Sequence, residues 1–233
     1  MDILVIGGGG REHAIIRKIK ESPLCGKVYC APGNGGIAAD AECIPSVKAT
    51  DVEGAVRLAQ EKKVDFVIVA PDDPLVLGMV DALEAAGIPA FGPRKNAAIL
   101  EGSKAFAKDL MKKYGIPTAA YEIFTDAEAA IAYVRAQNAY PTVIKADGLA
   151  LGKGVIIAQS EQEAVTAIRD MLEGGRFGDS GRRIVVEQFL SGPEVSVLAL
   201  TDGEVVRPLC SSMDHKRALD NDEGLNTGGM GTI

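Results

Sequence analysis

Apolar residues in the first hundred positions alternate between short continuous runs and helical stripes. Asp2–Ile6 is an apolar run that ends in glycines, and Arg11–Glu21 has helical spacing. Lys27–Cys30, Asp65–Ala70 and Pro89–Phe91 are further strand-type runs. Between them, Thr50 with Glu53 predicts a capping box for a helix to about Lys62, and Leu75–Ala86 predicts a helix ended by Gly87. Strands alternating with helices predict right-handed crossovers and a parallel sheet covered on both faces.

The pattern changes after Gly92-Pro93. Ser103 predicts the cap of a helix to Tyr114, with Gly115 as the residue past its end and Pro117 beyond. Thr125 with Glu128 predicts a helix to about Ala136, and Ser160 with Glu163 another to about Glu173. Strands are predicted at Thr142–Ala146, Gly154–Ala158, Arg183–Phe189, Glu194–Leu200 and Glu204–Leu209, with Asp202-Gly203 as a hairpin turn. Hairpins beside helices indicate an α+β region with an antiparallel sheet. Cys210–Ile233 is polar and glycine-rich and has no helix or strand period. It is expected to be a functional loop, or a point where the chain stops inside a domain.

Composition narrows the chemistry. With 233 residues, 47% of them apolar, the chain has material for one large domain or two small ones. A net charge of −7 argues against a broad nucleic-acid or anionic-membrane surface, so an anionic ligand would need local cations and helix N-termini. Cys25, Cys30, Cys43 and Cys210 form no CxxC pair, and His13 and His215 are far apart in sequence. Reduced thiols are expected, with neither a zinc site nor a disulfide framework. The N-terminus reads as a first strand and not a signal peptide, and no apolar run reaches membrane-spanning length.

The segment from Lys145 to Gly154 carries the sharpest signal. Two apolar runs flank a loop holding Gly148, Gly152, Lys153 and Gly154, and Lys145 sits in the first run. Glycines let backbone N–H groups approach a polyphosphate, and each ammonium adds a point charge. No GxxxxGK[ST] precedes a helix, so this is not a P-loop. Snorkelling of Lys145 to solvent is the plain alternative. Gly7–Gly10, opening a helix, suits a phosphate at a helix N-terminus or serves as a tight turn. It fails as a GxGxxG fingerprint because Glu12 stands at the third glycine position, which disfavours a dinucleotide.

Asp72 and Asp73 follow a strand, where either would reach sugar hydroxyls or cap a helix. Lys104 in a first helical turn opposes the helix dipole, which favours a ligand role or simple exposure. Glu187 and Glu194 would accept from a ligand hydroxyl or amine, or pair with a cation such as Arg183. Asp214-His-Lys-Arg217 suits anion capture, or is a solvated loop.

Together these segments resemble the ATP-grasp superfamily, and within it the phosphoribosylamine–glycine ligase (glycinamide ribonucleotide synthetase) family. The resemblance rests on Val5–Ala14, Ala31-Pro-Gly-Asn34, Leu100–Phe106, Val143–Ala150, Gly152-Lys-Gly-Val155, Asp214-His-Lys-Arg217 and Asn226–Gly231, in family order along the whole chain. It implies an N-terminal Rossmann-like parallel domain at 1–101, followed at 102–233 by a partial ATP-grasp unit with a small nucleotide-covering subdomain at about 119–190. It implies ATP- and magnesium-dependent joining of glycine to 5-phosphoribosylamine through a glycyl phosphate, in purine biosynthesis.

By motif position the resemblance places Lys104, Lys145, Lys153, Gly152 and Gly154 at ATP phosphates. Glu187 and the 188–190 backbone fall at adenine, and Glu194 at the ribose. Gly8, Gly9 and Gly10 fall at the phosphate of phosphoribosylamine, with Asp72 at its sugar. Asp214, Lys216 and Asn226 fall at the reaction centre. A monomer in the cytoplasm is expected, with small-molecule partners and no nucleic acid or membrane.

Two features depart from the family pattern. Ala70-Pro-Asp-Asp-Pro-Leu75 stands where the family has Gly-Pro-Glu-Ala-Pro-Leu, so Asp72 is one methylene shorter than the Glu. The family's acidic metal motif, of the Glu-x-Asn-x-Arg-x-Gly-Asp-Pro-Glu type, is not found in these residues, so no metal ligand is assigned. The chain is expected to be an N-terminal half with little or no turnover alone. A non-catalytic nucleotide-binding module and another ATP-grasp ligase, such as one acting on bicarbonate, are the alternatives.

Overall fold

A computed structural model describes residues 1–149, 154–175 and 178–233. The chain falls into two compact units, Met1–Glu187 and Gln188–Ile233.

The first unit begins with β1 (Ile3–Gly7), α1 (Gly10–Lys20), β2 (Val28–Pro32), β3 (Glu42–Cys43), α2 (Val52–Lys62), β4 (Phe66–Val69), α3 (Asp72–Leu77), α4 (Met79–Ala85) and β5 (Ala90–Phe91). The strands form a parallel sheet in the order β3-β2-β1-β4-β5. Every residue of β1 is buried because both faces are covered. Leu4 and Ile6 join a core with Leu58, Met79 and Leu83, whereas Ile3 and Val5 join Ile16 and Ile37 on the other side. The order reverses at β1, so the loops after β1 and β4 flank the switch point where such sheets open a ligand crevice.

The unit continues with α5 (Lys95–Gly102), α6 (Lys104–Tyr114), β6 (Tyr121–Phe124), α7 (Ala127–Gln137), β7 (Thr142–Ala146), β8 (Val155–Ala158), α8 (Glu161–Leu172) and β9 (Ile184–Gln188). These strands form a second sheet, β6-β9-β7-β8, with β6 antiparallel to β9 and β7 to β8. Ile144, Ala146, Ile184 and Val186 pack with Ile131, Ile168 and Met171 beneath α7 and α8. Strand alternation therefore turns Lys145 and Glu187 together to the opposite face.

Several expectations need correction. Asp51, not Thr50, caps α2, its Oδ1 accepting from Gly54 N at 2.8 Å. Asp126, not Thr125, caps α7 through Ala129 N, also at 2.8 Å. In both cases an aspartate beside the threonine offers the stronger, charged acceptor. The single helix expected at Leu75–Ala86 is two helices, because Gly78 breaks it with φ of 92°. Helix α5 and strands β3 and β6 were not expected. Two of these are short, and α5 has no strong apolar stripe.

In the second unit, β10 (Ala199–Thr201) and β11 (Val206–Pro208) pair antiparallel around Asp202-Gly203. Asp202 Oδ1 accepts from the amides of Glu204 and Val205, as the turn signal predicts. The strand expected over Glu194–Leu200 is confined to its last two residues, preceded by one isolated bridge, Ser196 to Ser212. The largest correction lies at Cys210–Ile233. It holds β12 (Asp214–Leu219) and β13 (Glu223–Thr232), paired antiparallel with two register shifts. Glycine supplies no side chain to alternate, so a strand held by its backbone ladder has no sequence period.

Candidate functional site: a glycine-loop site and a lysine–carboxylate cluster

The first candidate site lies on the loops leaving β1, β2 and β4. Gly7 has φ of 126°, a left-handed conformation that favours glycine, and turns the chain into α1. A Cβ on Gly8 would lie 2.7 Å from the Gly33 carbonyl oxygen, so this loop closes against the one after β2. Gly33 N donates to Gly7 O at 3.0 Å, and the Asn34 side chain donates to Gly8 O at 2.8 Å. Asn34 Oδ1 in turn accepts from the amides of Gly36 and Ile37.

Glu12 explains its own departure from a glycine fingerprint. It is buried and its Oε2 accepts from Gly9 N at 2.5 Å. One amide of the helix N-terminus is thus held by the protein's own carboxylate, which narrows the anion site to the Gly10 end. Asp72 and Asp73 lie in the first turn of α3, where they complement the helix dipole. A Gly8→Ala variant is expected to push the two loops apart by a few tenths of an ångström or more. The cost is about 1–3 kcal/mol, read as a lower unfolding midpoint in denaturant. An unchanged midpoint would mean that the loops do not close as described.

The second candidate site lies on the face of the second sheet turned away from α7 and α8. Glu187 is 6% exposed, and its two oxygens meet two lysines. Lys145 of β7 is ion-paired to Oε1. Lys108 of α6 places Nζ 2.5 Å from Oε2, at angles outside those of a hydrogen bond, so this contact is a charge pair. Burial would raise the Glu187 carboxyl, but the close ammonium groups of Lys108 and Lys145 outweigh it and hold it below the usual range. Of the alternatives offered by the sequence, Glu187 pairs with cations, but these are lysines and not Arg183. Arg183 stands just before β9 and pairs with Asp147.

Asp147, directly after β7, ties three elements together. Its carboxylate accepts from Ser103 Oγ at 3.0 Å, Ala105 N at 2.6 Å and Arg183 Nε at 2.8 Å. Ser103 caps α6 as expected, donating to Asp147 while accepting from Phe106 N. Lys104 is thereby set against the base of the glycine-rich loop, its Nζ 2.9 Å from Gly148 O. Burial lowers its pKa and the nearby Lys145 charge adds to that, while Asp147 and Glu101 oppose it. Gly154 closes the other end of the loop by accepting from Ala146 N at 2.8 Å. Gly152 and Lys153 lie outside the described residues.

Lys108 and Lys145 thus meet on one carboxylate, Lys104 is close enough to Lys145 to feel its charge, and Asp147 and Arg183 offset each other nearby. The surplus of positive charge on a half-buried face suits a polyphosphate. Lys108 carries no sequence signal of its own, and nothing in the sequence pairs Asp147 with Arg183. Lys108 sits four residues after Lys104, on the same helix face, and that spacing is the one clue to it.

In the second unit, Lys216 is ion-paired with Glu194, and Asp214 Oδ1 accepts from Thr232 Oγ1 at 3.0 Å. Arg217 Nη1 donates to Gly224 O at 2.6 Å. Asn226 is the cross-strand partner of Arg217, and its side chain lies outside what is described. Among the described residues no group of three His, Cys, Asp or Glu side chains is placed to hold a metal ion. No helix among them is long and apolar enough to cross a membrane.

Comparison with known proteins places this architecture. Residues 1–101 match the family model of the phosphoribosylglycinamide synthetase N domain, and residues 102–233 match that of its ATP-grasp (A) domain. The phosphoribosylamine–glycine ligase of Yersinia pestis is 55% identical over 232 residues, covering 99% of this chain and 54% of that protein. The crystal structure of phosphoribosylamine–glycine ligase from Thermotoga maritima aligns with a TM-score of 0.82 at 33% identity, covering 100% of this chain and 55% of that one. A biotin carboxylase from Campylobacter jejuni, 20% identical with a TM-score of 0.75 over 93% of this chain and 51% of its own, shares the fold. The chain spans about half the length of the curated relatives it matches. It belongs to the phosphoribosylglycinamide synthetase family.

Proposed function

We propose that this chain is the N-terminal portion of an ATP-dependent carbon–nitrogen ligase that joins glycine to 5-phosphoribosylamine. Residues 1–101 form its substrate-binding domain and 102–233 part of its ATP-grasp domain, with the nucleotide-covering subdomain at about 119–190. The observation that carries this reading is the pair Lys104 and Lys145 at the base of the glycine-rich loop, with Lys145 facing a buried Glu187.

In this reading a glycine carboxylate oxygen attacks the terminal phosphorus of ATP, and the bond to ADP breaks. The amine of phosphoribosylamine then attacks the acyl carbon of glycyl phosphate and expels phosphate. Lys104, Lys145 and Lys153 hold the polyphosphate and spread its charge during transfer, with Gly152 and Gly154 letting the backbone close on it. Glu187 meets the adenine amine and Glu194 the ribose. The Gly8–Gly10 loop holds the sugar phosphate and Asp72 a sugar hydroxyl. Asp214, Lys216 and Asn226 line the reaction centre. Magnesium, when bound, would supply charge neutralisation of the transferring phosphoryl group, and its ligands are expected in chain beyond Ile233. A cytoplasmic monomer without nucleic-acid or membrane partners completes the proposal.

Assaying purified protein for ADP release that needs both glycine and phosphoribosylamine tests this. The 233-residue chain alone should turn over little or not at all, and robust turnover would sink the idea that it is a portion. A protein extended through any further coding sequence should release ADP only with both substrates. Release with bicarbonate in place of glycine would point instead to a different ATP-grasp reaction.

A further inference from the structure

Lys108 is the one lysine among the buried charged residues of the described chain, and the proposed chemistry gives it no task. Its ammonium is fixed from three directions. Glu187 Oε2 lies at 2.5 Å, Thr118 Oγ1 accepts at 2.8 Å, and the Tyr121 ring centroid lies at 5.6 Å. Lys145 faces the same carboxylate from the more open side, its side chain 27% exposed against 11% for Lys108. An anion arriving from solvent therefore meets Lys145 first and Lys108 last.

We propose that Lys108 is a positioning residue: it is the permanent counter-ion of Glu187, which frees Lys145 to leave that carboxylate and engage a polyphosphate. The proposal rests on the reading of Lys145 as a phosphate ligand. Without Lys108, the departure of Lys145 would strand a buried carboxylate, so Glu187 would either keep Lys145 or take up a proton. The groups facing Glu187 support this division. They are Lys108 from α6, Lys145 from β7, and its cross-strand partner Tyr121 from β6, whose hydroxyl is turned to Asp109. Thr142 of β7 reaches only the Glu187 carbonyl. Lys108 is thus the only charged group other than Lys145 that touches the carboxylate among the described residues.

The test is the pH dependence of anion binding by the wild-type chain, K108M and K108M/E187Q. The probes are ATP and inorganic tripolyphosphate, which has no base for Glu187 to touch. At about pH 8, K108M should bind both roughly tenfold more weakly, the scale of one charge-assisted contact. Binding by K108M is then coupled to proton uptake at Glu187, so the deficit should shrink towards about pH 6. Protonation of the phosphate itself weakens binding in every variant alike, and so does not close the gap. For tripolyphosphate, K108M/E187Q should recover wild-type affinity at both pH values.

Affinity unchanged in K108M, or lost equally at both pH values without rescue by E187Q, would overturn the proposal. Should K108M not fold, K108M/E187Q should fold, and its failure to do so would overturn the charge argument. If the wild-type chain binds neither anion, the phosphate reading of Lys145 fails instead, and a ligand-free experiment decides the role of Lys108. In 13C NMR the Glu187 carboxyl of K145M should titrate well below that of K108M/K145M. Coincident curves would remove Lys108 from its role.

Discussion

Replacing Asp147 by alanine is expected to destabilise the first unit by about 3 kcal/mol, lowering its thermal midpoint by roughly 6–12 °C. The loss is large because Asp147 is buried and joins Ser103, Ala105 N and Arg183. Alanine leaves an amide and a hydroxyl buried without an acceptor. The Arg183 share is smaller, because that side chain is 45% exposed and its charge is screened by solvent. Asp147→Asn keeps one acceptor for Ala105 N and should lose less. Far-UV circular dichroism gives the midpoint, and hydrogen exchange at the Ala105 amide gives the local effect. An alanine variant that keeps protection at Ala105 would show that Asp147 is not the tie between α6 and the glycine-rich loop.

The second large effect is on binding. Lys145→Ala is expected to weaken ATP binding by about 1.5–3 kcal/mol, or tenfold and more in dissociation constant. It should destabilise the fold less than that, because Glu187 keeps Lys108. Calorimetric titration with ATP measures the first quantity and denaturant unfolding the second. Equal ATP affinity in the two proteins would remove Lys145 from the site.

The variant also shifts acid stability in a stated direction. Glu187 now sits below the usual carboxylate value of 4.5, so its contribution is complete above that value and is lost as pH falls through the lowered one. Removing Lys145 takes away part of what lowers it, so the variant should lose less stability on acidification, and its deficit against the parent protein should shrink as pH falls below that value.

Much of this was visible in the chain. Continuous apolar runs such as Ile3–Ile6 announced strands buried on both faces, and β1 is buried throughout. Ser160 with Glu163 announced the start of α8, where Ser160 Oγ accepts from Glu163 N and Glu163 reaches back to Gln159 N. The β12–β13 hairpin leaves no period in the sequence because the glycines of β13 carry no side chain to alternate. The capping-box pattern fits Thr50 and Thr125. The neighbouring aspartates hold the position because a carboxylate competes better for the same amide.

The sequence by itself determined the element types, the glycine-rich loops and the family resemblance that led to the lysines. These depend on local properties: period, turn chemistry and motif spacing. It did not determine what each charged side chain faces. Glu187 meets Lys108 from 79 positions and Lys145 from 42 positions away because strand alternation and the packing of α6 bring them to one face. Asp147, Ser103 and Arg183 meet for the same reason. Only tertiary structure decides such pairs, because burial makes an uncompensated charge intolerable and the fold alone supplies the partner.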